Sequence, residues 1–293
     1  MRGVQPPTGA GREVLCHDDT VSTPMNSSLP WPTEAPVIPL REARPILDRI
    51  ASLARTHEQD VTLVPGAALA EEDTAADPPP ALEQILDELG GIELCGIPVL
   101  MLLIEDRTDV GPYTLLGKAT TFYPLYETPE VAVVLTLDDD GAPGVVYGIG
   151  EDLALQLAAP DLLSYLERFA DALEASLQAL AQRGDEPDTK GDARAEAAQE
   201  LMDQHLFAAI VGAGEDEDEY EGAAGQDTAV VPLQDASASG IDALPDGALL
   251  VADLRAAPVG ARVDLIDADV PGDPLDLRIA WRDRGRLVTL HTD

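Results

Sequence analysis

The residues of this chain that could do chemistry are mostly carboxylates. Asp138, Asp139 and Asp140 stand in a row ahead of Gly141. Three neighbouring carboxylates could hold a hard cation such as calcium or magnesium through oxygen ligands. The triplet lacks the alternating ligand spacing and the distal glutamate of a calcium loop, and successive side chains of an extended segment point apart. Aspartate also favours turns, because its carboxylate accepts hydrogen bonds from nearby backbone N–H groups. The triplet therefore reads as a solvated hairpin turn, with no metal expected. Paired carboxylates for glycosidic bond cleavage cannot be singled out in a chain where acidic residues occur throughout.

Other reactive patterns are missing from the sequence. It has no Gly-x-Ser-x-Gly elbow, no Gly-x4-Gly-Lys-Ser/Thr loop and no His-Glu-x-x-His helix. Gly148-Ile149-Gly150 follows a strand-like run, but Leu153 stands where a dinucleotide fingerprint needs its third glycine. His17, His57, His205 and His291 do not lie at metal-ligand spacing from one another. His205 falls near the apolar face of a predicted helix and reads as a packing or surface residue. Cys16 and Cys95 form no Cys-x-x-Cys pair, which argues against a zinc site or a disulfide framework and fits a reducing, cytoplasmic setting. No cofactor is expected.

Composition limits the partners. Fifty-five Asp and Glu face 18 Lys and Arg, a formal net charge of -37, and Lys118 and Lys190 are the only lysines. Such a chain repels phosphate backbones and anionic lipid surfaces, so neither nucleic acid nor membrane is an expected partner. A basic protein is. An acidic proteome or simple solubility would produce the same charge. Hydrophobic residues make up 45% of the chain, enough for a core over most of its length, but aromatics are only 4%, so that core must be mainly aliphatic. The most apolar stretch, Ile97 to Ile104, is too short to span a bilayer and reads as a buried strand.

The elements that must position these residues follow from periodicity. Residues 1–40, rich in Pro, Thr, Ser and Gly, read as a disordered tail without the apolar segment of a signal peptide. Translation could start at Met1 or at Met25. Ile46, Leu47, Ile50, Leu53 and Ala54 mark an amphipathic helix, and Asp60 to Val64 a short strand. A linker is expected over Glu71 to Pro80. Leu82, Ile85, Leu86 and Leu89 predict a helix opened by Pro80 and stopped by Gly90 and Gly91. Strands are expected at about Val99–Glu105 and Leu115–Phe122, then at Val131–Leu137 and Gly144–Ile149 on either side of the acidic turn. Glu151 to Ala158 reads as a short edge strand. Pro160 and Asp161 open a long helix buried through Leu162, Leu166, Phe169, Leu173, Leu177 and Leu180. Ala193 to Val211 is a second helix. The charge run Glu215 to Glu221 marks a boundary within an acidic linker, 213–228. Beyond it, 229–293 reads as a smaller β-rich domain ending in a hairpin that turns at Asp283-Arg284-Gly285. The fold class is α+β, an antiparallel meander sheet flanked by helices over 41–212.

Between Pro80 and Arg183, about a third of the chain, ALEQILDELG runs into GIELCGIPVL. The meander VAVVLTLDDDGAPGVVYGIGED follows, then LALQLAAP and the helix DLLSYLERFADALEASL. This order resembles the SUKH superfamily of bacterial immunity proteins, with Asp140, Gly141, Val146, Tyr147, Pro160, Leu163, Tyr165, Leu166 and Phe169 in matching places. The resemblance implies no enzymatic activity. It implies that the protein binds a cognate toxin, often a nuclease or deaminase, and blocks it. The candidate partner-binding residues are Asp138, Asp139, Asp140, Tyr147 and Glu151, of which Tyr147 is also the natural core residue. A metal-dependent hydrolase built on clustered carboxylates and a regulatory scaffold are the alternatives. Calorimetric titration with calcium and with magnesium should give no heat of micromolar binding; such a heat would replace the turn reading of Asp138–Asp140 with a cation site.

Overall fold

The computed structural model describes residues 35–67, 78–103, 122–128, 131–150, 154–183, 191–211, 229–242, 244–265 and 277–291. The fold is α+β, with a central antiparallel meander. Helix α1 (Leu40–Thr56) buries Ile46, Leu47, Ile50 and Ala54 of the stripe read from the sequence, together with Ala43, while Leu53 is only partly buried. Pro39 offers no capping side chain, and the first N–H of the helix is instead given to Gln84 Oε1 at 2.9 Å. Strand β1 (Val61–Pro65) follows.

The next helix is much shorter than its pattern suggests. A 3-10 turn at Pro80–Leu82 leads into α2 (Glu83–Leu86), and Leu89 already belongs to strand β2 (Leu89–Leu94). Gly90 and Gly91 therefore do not cap a helix. They sit between β1 and β3 (Ile97–Met101), where a Cβ on Gly90 would run into the Pro65 carbonyl oxygen and one on Gly91 would lie 2.6 Å from that of Leu100. Glycine here serves close backbone approach, which periodicity cannot distinguish from a helix stop.

The central sheet is built from β4 (Phe122–Glu127), β5 (Ala132–Leu137), β6 (Pro143–Ile149) and β7 (Ala154–Ala159), each antiparallel to the next. The part of the expected Leu115–Phe122 strand before Phe122 lies outside the described residues, as do the expected linker around 71–77 and the acidic linker. Asp161 accepts the Ser164 N–H at 2.7 Å, a side-chain cap at the start of α3 (Leu162–Arg183). Helix α4 (Gly191–Met202) passes through one π turn (Asp203–Phe207) into α5 (Ala208–Val211).

The C-terminal strands are β8 (Gln234–Asp235), β9 (Ala248–Asp253), β10 (Arg262–Asp264), β11 (Leu277–Arg282) and β12 (Arg286–His291). Four of them form a sheet in the order β11-β12-β9-β8. The fifth, β10, pairs antiparallel with β7 and extends the central sheet to five strands, β10-β7-β6-β5-β4. The β-rich C-terminal region is thus joined to the meander by backbone hydrogen bonds, and β7 is an inner strand rather than an edge.

Strand alternation sorts the central sheet into two cores. Tyr123, Leu125, Val133, Leu135, Leu137 and Val146 pack with α1, α3, α4 and the three-stranded sheet. Phe122, Ala132, Val134, Val145, Tyr147, Ile149, Leu155 and Leu157 pack with Ala252, Ile279, Trp281 and Leu287 of the C-terminal sheet. Helices cover one face and a second sheet covers the other. No described helix is long and apolar enough to cross a membrane.

Gly148, weighed above as part of a nucleotide motif, has a packing role. A Cβ there would overlap the Ile210 carbonyl oxygen, because the end of α5 passes directly over β6. Gly148→Ala should cost about 3 kcal/mol or more, since backbone must move to admit the methyl. Urea denaturation of G148A checks this; an unchanged midpoint would mean that α5 does not pass so close.

Candidate functional site

The acidic turn closes the β5–β6 hairpin. Leu137 pairs with Pro143, and the loop between them is held by Asp138 N–H to Ala142 O at 2.9 Å and Gly141 N–H to Asp138 O at 2.7 Å. Asp140 Oδ1 accepts the Ala142 N–H at 3.0 Å, the local bond that makes aspartate a turn residue. Asp139 and Asp140 are exposed, and Asp138 is half-buried.

The turn faces the tip of another hairpin. Between β11 and β12, Asp283 and Arg284 adopt left-handed φ angles of 51° and 57° before Gly285. Both carboxylate oxygens of Asp138 accept the Arg284 N–H at 3.2 Å, across 146 positions of sequence. Asp139 Oδ1 is paired with Arg282 at 2.9 Å. Arg286 binds Asp283 and lies 3.7 Å from Asp253, which also takes a fork from Arg255. The Arg284 guanidinium is exposed and has no ion-pair partner among the described residues.

This arrangement puts the Asp138 carboxyl under opposing influences. Burial pushes its pKa up, the Arg284 N–H pulls it down, and Asp140 and Asp283 push it up again, with a net rise. The Asp138–Arg284 and Asp139–Arg282 contacts link the central hairpin to the C-terminal one. No three His, Cys, Asp or Glu side chains among the described residues come together as a metal-holding group.

Of the five candidate residues, the structure brings Asp138, Asp139 and Asp140 together in one turn. Glu151 lies outside the described residues. Tyr147 is fully buried, its ring stacked on Trp281 with centroids 4.5 Å apart and planes 23° from parallel. That position leaves Tyr147 no side-chain surface for a partner. Its hydroxyl and the Trp281 Nε1 both lack a hydrogen-bond partner among the described residues, and burial drives the Tyr147 pKa far up. His205 is exposed on the π turn.

Sequence reasoning missed the cationic tip, Arg282 and Arg284, although the Asp-Arg-Gly triplet was legible as a turn. It also missed a second cluster. Arg194 on α4 holds Asp60 at the start of β1 with two bonds, 2.7 Å to Oδ1 and 3.0 Å to Oδ2. The Cys95 thiol lies 3.7 Å from Asp60 Oδ1, in the β2–β3 turn where Cys95 has φ 52°. The Arg194 guanidinium holds the Asp60 carboxyl below the usual carboxylate range against the opposing effect of burial, and burial beside Asp60 pushes the Cys95 thiol up. A raised pKa keeps a thiol protonated and a poor nucleophile, so this cluster ties α4, β1 and the β2–β3 turn together rather than activating sulfur.

The comparisons with known proteins add no relative: no family model, curated protein or solved structure matches the chain.

Two outcomes test this geometry. Tyr147→Phe removes a buried, unpartnered hydroxyl and should be neutral or stabilising by up to about 1 kcal/mol, whereas Trp281→Ala should cost about 3–5 kcal/mol through the cavity it leaves. A clear loss of stability in Y147F would show that the hydroxyl has a partner. Asp60→Asn should cost about 1.5–3 kcal/mol at pH 7, the range for hydrogen bonds to charged groups. Because the folded Asp60 pKa is depressed, its stabilisation is present above the unfolded value near 4 and is lost as pH falls through the folded pKa. The gap between wild type and D60N in urea midpoint should therefore narrow below about pH 4; a gap unchanged between pH 7 and pH 3 would remove the ion pair as its cause.

Proposed function

We propose that the protein is a non-enzymatic binding protein that docks a basic protein partner. The observation that carries this reading is the distribution of charge. Arg44, Arg49, Arg183, Arg194 and Arg282 are each bound to carboxylates of their own chain. With 55 acidic side chains against 18 basic ones, these internal ties leave a large surplus of carboxylates. Opposite charge on a partner would raise its rate of encounter and select it over neutral proteins. With Tyr147 buried and both faces of the central sheet covered, this reading takes turns and outer helix faces as the contact surface, and the exposed Asp139 and Asp140 of the acidic turn support it.

The resemblance to the SUKH superfamily supplies the class of partner, a cognate toxin such as a nuclease, whose phosphate-gripping site is basic. An antiparallel meander leading into the Asp161-capped helix supports that reading, as does the cytoplasmic setting inferred from the cysteines.

Affinity capture from native lysate at about 0.1 M salt, where screening sets in beyond roughly 10 Å, should retain one basic protein and release it as salt is raised. Capture of several neutral proteins would favour a regulatory scaffold. An EDTA-sensitive hydrolase activity in the purified chain would favour the metal-dependent enzyme instead.

A further inference from the structure

We draw no further inference here: the strongest candidate, the pair of buried polar atoms Tyr147 Oη and Trp281 Nε1 between the central and C-terminal sheets, without a hydrogen-bond partner among the described residues, carries nothing, because the leftover donor that could complete a site with them, Arg286 Nε, alternates onto the opposite face of its strand from Leu287, and one hydroxyl and one indole N–H by themselves specify no ligand.

Discussion

Burial of the five-stranded sheet on both faces is the constraint from which the rest of the molecule follows. Antiparallel sheets commonly leave one face in water and then show a polar–apolar alternation. Here every residue of β5 is buried, and its two alternating sets of side chains enter different cores. Full burial of one Val or Leu side chain stabilises by about 1.5–3 kcal/mol, so both covering layers are held mainly by apolar area. Polar groups inside must then find partners in the protein. Thr136 does so by donating to the Val145 carbonyl at 2.9 Å, while the Tyr147 hydroxyl finds none among the described residues. Charged chemistry is excluded from the sheet and pushed to its turns and rims.

The few cations are used where layers meet. Arg49 on α1 reaches Asp171 and Glu174 on α3, Arg44 grips Glu88 beyond α2, Arg194 joins α4 to β1, and Arg282 joins the C-terminal hairpin to the acidic turn. Exposed pairs of this kind contribute at most about 1 kcal/mol each. They act on registry more than on stability, since each one pins the end of an element whose apolar face could otherwise slide. The Asp60–Arg194 pair is the exception, because only 13% of the Asp60 side chain is exposed and its bonds are therefore less screened.

The acidic turn shows how the two arguments combine. Local bonding shapes it as a hairpin loop, and that much was present in the order Asp-Asp-Asp-Gly. Its neighbour is the cationic tip of the β11–β12 hairpin, so two of its three carboxylates meet groups of that tip, while Asp140 bonds within the turn and is exposed. Any partner that reads this turn meets a surface of alternating sign rather than a plain anionic loop.

Local patterns determined a good part of this protein. The stripe of α1, the Asp161 cap and buried face of α3, the β5–β6 hairpin and its turn, and the final hairpin were all legible, because each depends on residues within a few positions of one another. The α+β class and the meander follow from their order. Tertiary structure alone decided the remainder. Gly90, Gly91 and Gly148 are required by backbones approaching from elsewhere, the 154–159 strand is internal because β10 arrives from about a hundred residues later, and Tyr147 is core because Trp281 lies over it. The link from Asp138 to Arg284 spans 146 positions. Periodicity records which side of an element is apolar, not what comes to cover it, and so the sequence could indicate an acidic turn but not the arginines that face it.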